Sequence, residues 1–583
     1  MLFVVSFVVA ASTMLGGCSG GGGDPQTGAF AAGDTQSPAA PDAAEPTGAF
    51  AVEGTQSPAA PDAAEPAGDF AVEGAQTPAA PDAVEPTGAF AVEDAQTPAA
   101  PFPVGDYHVD VTLSGDMGAM AVESPARVAV RESDGGTVTV TATVVFKGAD
   151  LTYMTVGGEE YLPAGDGGDP AADVSGSDEG DVGAGIAGSD ESDGGVEMAG
   201  SVESDVGAGI AGLAAGSAAF EIPVTLDTDI PVALRAAGVG AAPGDTWCTL
   251  RFHREGASLA LDYATGFAVD YSLDAPRITF ADGSAFAVTR HPQKVYLAAT
   301  GAMCAFDVLG ALPLIAFSGT QAEGWYIENA RLAMERGDFV YAGKYSAPDY
   351  ELLLAAGCDL AVESNMINHV PEVKEKLESL GIPVLVDSSS YEAQPLGRAE
   401  WVKLYGVLLG KEKEAMECFD AQAAAFREVA GKEPTGKTVA FFYFNPSGQP
   451  VVRKSGDYVA KMISMAGGEY VFGDMSGWEG ATGIGAIEME TFYHAAKDAD
   501  ILIYNSTMGE ELESLEDLLA YSALLGDFKA VQNGGVWQVN RDFYQETTSF
   551  GKIITDFRKV FEGGDTWKTE DFDFLRPLGR SSH

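Results

Sequence analysis

The chain has 583 residues and a formal net charge of −53, because 86 acidic residues outnumber 33 Lys and Arg residues. This balance excludes a protein that binds nucleic acid through a basic surface, since phosphates require clustered positive charge. The length has room for about three or four domains. The 72 glycines, beside 46% hydrophobic residues, predict globular cores joined to stretches that do not fold.

Residues 1–18 have the pattern of an export signal. An apolar run, LFVVSFVVAASTML, is too short to span a bilayer comfortably and is followed by Gly16, Gly17 and Cys18. This ending resembles the bacterial lipobox, in which the cysteine thiol carries diacylglycerol. The resemblance implies an extracytoplasmic lipoprotein anchored to the membrane through Cys18, on the cell surface. Because no Lys or Arg precedes the apolar run, we expect the true translation start to lie upstream of Met1.

Residues 19–105 are predicted to form a disordered acidic tether. A unit of 20 residues, first seen as TGAFAAGDTQSPAAPDAAEP, repeats with a single Phe and several prolines in each copy. Such a unit has too little apolar surface to offset the entropy lost on ordering the chain. A second stretch, 165–216, is rich in Gly, Ser, Asp and Glu and is predicted to be a disordered insert within the next domain.

Residues 106–256 are predicted to form a small all-β sandwich domain. Apolar and polar residues alternate in 107–113, 137–146 and 248–252, as expected of half-buried strands, and 221–226 adds an edge strand that contains proline.

Three stretches of this β domain, ESPARVAVRESDGGTVTVTATV, LTYMTVGGEEYLP and AFEIPVTLDTDIPVAL, resemble the NEAT-like domains of bacterial surface proteins. That family binds haem on a β-sandwich through tyrosine or methionine. The resemblance implies Tyr153, Met154 and Tyr161 as candidate haem ligands, with Met117 and Met120 behind them. The family's YxxxY strand is missing here, and the same side chains are equally suited to filling a small core.

Residues 257–583 are predicted to form an α/β domain with two lobes. Short apolar strands alternate with helical patterns in two blocks, which is typical of parallel sheets flanked by helices. Between the blocks, residues 411–431 predict one long helix, in which Phe419, Ala423, Phe426 and Ala430 recur at helical spacing. A stiff helix that joins two lobes leaves a cleft between them, where small ligands usually bind. We expect the fragment from about Ser258 to the end to fold alone.

Five motifs in this domain follow one family in order and spacing. They are YAGKYSAPDYELLLAAGCDLAVES, KEKLESLGIPVLV, DYVAKMISMAGGEYVF, EMETFYHAAKDADILIYNST and FKAVQNGGVW. The chain here resembles the helix-linked (class III) solute-binding proteins of ABC importers, which capture iron–siderophores, haem or cobalamin. The resemblance implies no catalysis and no resident cofactor. It implies a transported iron chelate or tetrapyrrole, and partnership with an ABC permease and its ATPase.

Ligand-binding residues are predicted from the ends of the strands, since ligands of open α/β sheets sit at the carboxyl edge. Lys344 and Arg453 suit an anionic chelate, and Met366 and His369 are candidate axial ligands if the ligand is haem, although each is also common in ordinary structure. The full predicted set is Met303, Trp325, Lys344, Tyr345, Met366, His369, Tyr391, Arg453, Trp478 and Tyr544.

The family resemblance also implies one carboxylate on each lobe that docks on the permease. By position in their motifs these are Glu351 and Glu490, each near the start of a predicted helix. A carboxylate there is also favoured by the helix dipole alone.

Other classes of function were weighed against this one. The string GKEPTGKT at 431–438 matches a phosphate-binding loop, but a helix precedes it and a strand follows, which is the reverse of the required order. A surface adhesin or scaffold that binds host macromolecules, and a cobalamin-binding protein, remain alternatives. Six histidines are too few for a cluster that binds bare transition metal ions. Cys248, Cys304, Cys358 and Cys418 show no zinc-site spacing, and free thiols are favoured over a disulfide that the sequence cannot pair.

Overall fold

A computed structural model describes the protein over residues 102–115, 120–133, 135–147, 151–157, 159–164, 217–236, 246–273, 275–478, 480–563 and 569–579. The predicted signal with Cys18, nearly all of the tether, the insert 165–216 and Met117 lie outside these residues. Phe102 falls inside the predicted tether but is buried, with its ring centroid 4.6 Å from that of Tyr107. The folded part therefore begins slightly before the predicted boundary at residue 106.

The N-terminal folded region, which we call the β region, is built from strands alone within the described residues. Alternating burial along the longer strands follows from the alternation of apolar and polar residues. The strands are β1 (Gly105–Ser114), β2 (Ala121–Val122), β3 (Ala126–Glu132), β4 (Val138–Lys147), β5 (Leu151–Val156), β6 (Glu159–Tyr161), β7 (Ser217–Pro223), β8 (Asp229–Ala236), β9 (Thr246–Leu259), β10 (Phe267–Asp270), β11 (Arg277–Phe280) and β12 (Ala285–Ala287).

All strand pairs of the β region are antiparallel, and hydrogen bonding runs through them without a break. The main path is β12-β11-β10-β9-β1-β3-β4-β2, while β8 joins β9 to β5 and β6, and β7 pairs with β4. The amide of Ala164, beyond β6, donates to the carbonyl of Ala219 in β7, so the two ends of the curled sheet approach each other. The predicted boundary between residues 256 and 257 falls inside β9. Because β9 also pairs with β10, the β region extends to the end of β12 at residue 287.

The first lobe contains a parallel sheet with the strand order β15-β14-β13-β16-β17. Its strands are short, and the central strands β13, β14 and β16 are mostly buried, as expected when helices cover a parallel sheet, whereas the edge strand β15 is exposed. The elements are β13 (Val295–Leu297), α1 (Met303–Val308), β14 (Ile315–Ser318), α2 (Glu328–Arg336), β15 (Val340–Tyr341), α3 (Tyr350–Ala356), β16 (Leu360–Ser364), α4 (Pro371–Ser379) and β17 (Val384–Asp387).

Two helices connect the lobes. The predicted long helix is present as α6 (Glu412–Ala430), and it is preceded by α5 (Pro395–Leu409), which the sequence analysis missed. Every residue of α5 except Arg398 is buried, so the helix lacks the one-sided apolar pattern by which a surface helix is recognised. Gly410 between the helices has a φ of +66°, a conformation that glycine adopts without a steric cost.

The second lobe contains a mixed sheet in which β18, β20, β22 and β23 are parallel and β19, β21 and β24 pair antiparallel at its edges. The elements are β18 (Lys437–Phe444), β19 (Pro450–Arg453), α7 (Tyr458–Met465), β20 (Gly468–Tyr470), β21 (Ile484–Ala486), α8 (Met489–Ala496), β22 (Ile501–Tyr504), α9 (Leu515–Tyr521), α10 (Lys529–Asn533), β23 (Val536–Val539), α11 (Phe550–Glu562) and β24 (Leu575–Pro577).

The four cysteines in the described part of the chain are free thiols. Cys248, Cys304 and Cys358 are buried and Cys418 is half-buried, which agrees with the preference for thiols over a disulfide. A search of the described helices finds none that combines the length and the apolar character needed to cross a bilayer.

Candidate ligand-binding cleft

A cavity of about 440 Å³ lies between the two lobes. In the first lobe its wall is formed where the parallel strands β13, β16 and β17 end, the position at which ligands of α/β sheets bind. In the second lobe its wall comes from the turns after β19 and before β21 and from the segment after β23. The lining residues are Ala299, Thr300, Gly301, Ser364, Asp387, Ser389, Ser390, Tyr391, Glu392, Ala393, Arg398, Arg453, Asp457, Tyr458, Thr482, Gly483, Tyr544 and Thr547.

Arg398 of α5 is the side chain by which the buried helix reaches the cavity. Its Nε donates to the carbonyl of Glu392 at 2.9 Å and its Nη2 donates to the carbonyl of Ser390. Its Cζ lies 3.8 Å from the ring centroid of Tyr458, on the opposite lobe. Burial lowers the pKa of this guanidinium. An arginine keeps its positive charge in proteins, so the group remains a cation held in a fixed orientation.

Arg453 ends β19 and faces the same tyrosine from the second lobe. Its Cζ lies 5.7 Å from the Tyr458 ring centroid, and its Nη1 lies 3.6 Å from Oδ2 of Asp457. Asp457 caps α7 by accepting from the amide of Val459 at 3.0 Å. The Arg453 side chain is only 15% exposed. The cavity therefore holds two arginines, one from α5 and one from the second lobe, that both approach one aromatic ring.

Two further tyrosines line the cavity with accessible rings. Tyr391 is 74% exposed in the short turn that follows β17, and Tyr544 is 39% exposed beyond β23. Tyr544 is held by the amide of Gln545, whose Nε2 donates to its hydroxyl at 2.9 Å, and by the ring of Tyr326 at 6.2 Å. These rings offer flat apolar faces with a polar edge.

Three predicted ligand residues thus line the cavity: Tyr391, Arg453 and Tyr544. Two others lie in the core, because Met303 and Trp325 are fully buried. Met303 begins α1 on its inward face. The Trp325 indole donates from Nε1 to Oγ of Ser318 at 3.1 Å, so its polar group is already satisfied internally. Neither side chain reaches the cleft surface.

The remaining predicted residues lie outside the cavity lining. Lys344 is exposed and Tyr345 half-buried in the turn after β15, and Trp478 is half-buried in the second lobe beneath Lys454, 5.8 Å from its ring centroid. Met366 and His369 are exposed in a short turn that begins beside the cavity-lining Ser364. The structure does not bring these two side chains to the cavity wall.

The predicted haem ligands of the β region occupy different environments. Met154 is fully buried in the core, because it lies on the inner face of β5. Tyr153 faces the other side, where the guanidinium of Arg235 lies 4.6 Å from its ring centroid. The Tyr161 hydroxyl donates to Glu159. Met154 is therefore a core residue and is not available as an axial ligand.

Glu351 and Glu490 occupy equivalent positions on the two lobes. Each is exposed in the first turn of a helix, α3 and α8 respectively. The Glu490 carboxylate lies 3.9 Å from Nε2 of His494, one turn further along. Both carboxylates are thus accessible from the surface.

Two alternative sites find no support in the geometry. Over the described ranges, no group of three or more His, Cys, Asp or Glu side chains is arranged to hold a metal ion. In the GKEPTGKT string, Lys437 and Thr438 lie in β18, and Thr438 Oγ1 donates to Asp500 at 3.0 Å. The string therefore leads into a strand rather than a phosphate-binding helix.

Comparison with known proteins agrees with this architecture. Residues 306–541 match the family described as periplasmic binding protein. An uncharacterised lipoprotein of Methanocaldococcus jannaschii is 29% identical over 239 residues, which cover 40% of this chain and 53% of that protein. A second uncharacterised lipoprotein of that organism is 29% identical over 206 residues and is covered to 51% of its length. The chain thus spans about half the length of these curated relatives.

Solved structures of low sequence identity are also similar. An ABC-type Fe3+-hydroxamate transport system from Saccharomonospora viridis has a TM-score of 0.39 and 17% identity, covering 48% of this chain and 97% of its own. The periplasmic haem-binding protein HutB of Vibrio cholerae has a TM-score of 0.38 and 16% identity, covering 45% of this chain and 98% of its own. With a sheet on each side of the cleft, the C-terminal part of this chain has a two-lobed α/β fold, and within it residues 306–541 are similar to the periplasmic binding protein family.

Proposed function

We propose that this protein is the extracytoplasmic solute-binding lipoprotein of an ABC importer, and that it captures an anionic iron chelate in the cleft between its lobes. The observation that carries the proposal is the pair Arg398 and Arg453, which converge on Tyr458 at the cavity wall. A permease and its ATPase would then receive the chelate.

The ligand chemistry follows from the lining. Guanidinium groups bind carboxylate and catecholate oxygens through paired N–H donors, and partial burial strengthens the attraction. Tyr391 and Tyr544 supply faces for flat, conjugated groups. A ferric siderophore with negative charge presents both features, as does the edge of haem with its propionates.

Between these two ligands the cavity favours the siderophore. A siderophore supplies all the ligands of its iron, whereas haem usually takes an axial ligand from the protein. Met366 and His369, the predicted axial ligands, are absent from the residues that line the cavity. The lining does include Tyr391, Tyr458 and Tyr544, and tyrosine also ligates haem iron in some proteins, so the proposal rests on the siderophore needing no ligand from the chain.

Delivery to a permease is proposed to use Glu351 and Glu490. One exposed carboxylate on each lobe suits a partner that contacts both lobes at once, and rim charges mainly steer and orient such partners. Membrane anchoring is proposed to use Cys18, on the strength of the lipobox resemblance and of the relatives described as lipoproteins. A Cys18→Ala variant is expected to leave the membrane fraction, and an unchanged membrane fraction would refute the anchor.

The ligand class is tested by the visible absorption spectrum of full-length protein purified from its own source. We expect a broad charge-transfer band, which marks a ferric siderophore. A Soret band would identify haem as the ligand, and a corrinoid spectrum would identify cobalamin. A tightly bound organic ligand without metal, found by mass spectrometry, would overturn the proposed iron chelate.

A further inference from the structure

The loop between β9 and β10 joins the β region to the helices behind the cleft. Five consecutive backbone amides of this loop donate to two buried carboxylates. Asp262, Tyr263 and Ala264 donate to Glu400 at 3.0, 2.7 and 2.7 Å, respectively. Thr265 and Gly266 donate to Oε1 of Glu392 at 2.8 and 2.7 Å. We call these five residues, 262–266, the clamp loop.

Other donors complete the coordination of both carboxylates. The Thr265 hydroxyl donates to Oε2 of Glu392 at 2.9 Å, and the Trp401 indole donates to Oε1 at 3.1 Å. Lys403 pairs with Oε1 of Glu400 at 2.7 Å. A buried carboxylate is tolerated only when such donors replace its hydration. The junction is therefore specific, with a fixed geometry.

Close packing at two glycines holds the clamp loop against α5. A Cβ added at Gly397 would lie 2.9 Å from the carbonyl oxygen of Tyr263. A Cβ added at Gly266 would lie 2.8 Å from the Trp401 ring. A side chain at either position would push the loop away from the helix, so the two glycines allow the loop and the helix to stay in contact.

Glu392 connects this junction with the ligand cleft. Its side chain is directed to the clamp loop, while its backbone carbonyl accepts from Nε of Arg398 at 2.9 Å. The carbonyl of Ser390, in the same turn, accepts from Nη2 of Arg398. The turn that the clamp loop fixes is therefore the turn that orients the cleft arginine.

We propose that the clamp loop of the β region positions Arg398 for ligand, with Glu392 as the positioning residue between them. The β region then contributes to ligand binding by fixing the orientation of Arg398, in addition to any separate role of its own. The inference rests on the proposed function only where it uses ligand affinity as a readout, because the orientation of the turn is measurable without ligand.

A merely structural junction and a positioning junction have different consequences. If the junction serves only to attach the β region, weakening it lowers the global free energy of unfolding and leaves the turn at 388–393 unchanged in the folded state. If it positions Arg398, weakening it loosens that turn while the rest of the protein keeps its protection. Local opening of this kind is visible as faster amide hydrogen exchange.

The test uses the full chain with Thr265→Val, which removes the hydroxyl donor to Glu392 and keeps the side-chain shape. Thr265→Ser restores the hydroxyl. Ser272→Ala is the matched control, because it also removes a hydroxyl that donates to a carboxylate of the β region, that of Asp270, away from the clamp loop. Hydrogen exchange of peptides covering 388–398 and titration with a ferric tris-catecholate siderophore are measured on each protein.

We expect Thr265→Val to speed exchange of the Tyr391 and Glu392 amides by about threefold or more and to weaken siderophore binding about fivefold. Thr265→Ser and Ser272→Ala should behave as wild type. Wild-type exchange at 388–398 in Thr265→Val, or a uniform increase along the whole chain, would overturn the proposal. Faster local exchange in a protein that binds no siderophore even as wild type would support the positioning of Arg398 and count against the proposed function instead.

Discussion

The junction between the clamp loop and α5 and the ligand cleft both contain charged side chains, but they differ in how these charges are paired. The junction charges have internal partners, whereas the cleft arginines keep some capacity to bind a ligand. At the junction, Glu400 and Lys403 are 0% and 3% exposed and lie 2.7 Å apart, with backbone amides filling the remaining positions. In the cleft, Arg453 and Asp457 lie 3.6 Å apart, and the Nη1 of Arg398 donates to no group in the described part of the chain.

The difference separates groups that stabilise the protein from groups that are held ready for a ligand. A charge whose partners are all internal has no capacity left to bind anything else. A guanidinium that is oriented by two carbonyls and still presents N–H groups to a cavity retains that capacity. The comparison predicts that loss of Glu400, whose partners are all internal, acts on stability, whereas changes to the cleft arginines act on affinity.

The largest expected effect is on the junction. Glu400→Ala leaves Lys403 without its carboxylate and three backbone amides without acceptors, which should lower the free energy of unfolding by about 3–5 kcal/mol. Urea denaturation of the full chain measures the loss. Glu335→Ala is the control, because Glu335 pairs with Arg331 on an exposed helix face, where such pairs contribute about 0–1 kcal/mol. Equal effects of the two changes would contradict the distinction.

A third kind of buried ionisable group lies in the first lobe. Glu363 in β16 is fully buried, and within the described residues neither of its carboxyl oxygens has a hydrogen-bond partner. Burial raises the pKa of this carboxyl from 4.5 to about 8. The folded state therefore binds the proton more tightly than the unfolded chain, so its stabilising contribution is present below pH 4.5 and is lost as the pH rises to about 8.

Glu363→Gln removes this titration. Relative to wild type, we expect the variant to gain about 2–4 kcal/mol of stability at alkaline pH and to show almost no difference in acid. Thermal unfolding measured across this pH range checks the expectation. Glu375→Gln, an exposed change on α4, should show no such dependence. A pH-independent difference between Glu363→Gln and wild type would contradict the expectation, because it would show that folding does not shift the pKa of this carboxyl.

The main expected effect of changing the cleft arginines is a loss of affinity. Arg398→Gln and Arg453→Gln each remove a guanidinium from the cavity, which should weaken binding of an anionic ferric siderophore about tenfold to a hundredfold. Fluorescence titration measures the affinity. Arg336→Gln is the control, because that side chain is 62% exposed and pairs with Asp338 away from the cleft. Unaltered affinity in both cleft variants would place the ligand elsewhere.

The smallest effect on the isolated protein is expected at the docking carboxylates. Glu351→Ala combined with Glu490→Ala should leave affinity and melting temperature almost unchanged, because both groups are exposed and rim charges contribute little to folding. Transport in cells should fall sharply at equal surface abundance, since charge pairs orient the partners. Normal transport would refute the docking assignment, and a loss of affinity would move these carboxylates to the cleft.

The sequence was sufficient for the parts of the fold that depend on local periodicity. The strands of the β region, the two α/β blocks and α6 were predicted because the spacing of apolar residues within each segment is enough to indicate the element. Helix α5 was not predicted because nearly all of its residues are buried. Its polar residues Glu400 and Lys403 are buried as well, so they do not mark a solvent-facing side of the helix. The clamp loop was not predicted because it makes its contacts through backbone amides. These are present in almost any sequence, so their hydrogen bonds to distant carboxylates leave no sequence pattern.

The candidate site was predictable only in part. Tyr391 and Arg453 follow from their positions at strand ends, and Tyr544 was predicted as an aromatic wall of the cleft. Met303 at a strand end and Trp325 as a second aromatic wall were predicted on the same grounds, but both turn inward to the core. Arg398 was missed together with its helix. Its segment, PLGRAEWVKLYGVLL, combines many apolar residues with three charged ones, Arg398, Glu400 and Lys403, and those charges are the signal that would have drawn attention to it.

The decisive experiment for the proposed ligand class is a titration of the full-length protein with a panel of ferric siderophores, haem and cobalamin. Tryptophan fluorescence and calorimetry give the stoichiometry and affinity. We predict saturable one-to-one binding of an anionic ferric siderophore, weakened in Arg398→Gln and Arg453→Gln and unchanged in Arg336→Gln. Absence of binding across the whole panel, by protein that is shown to be folded, would contradict the claim.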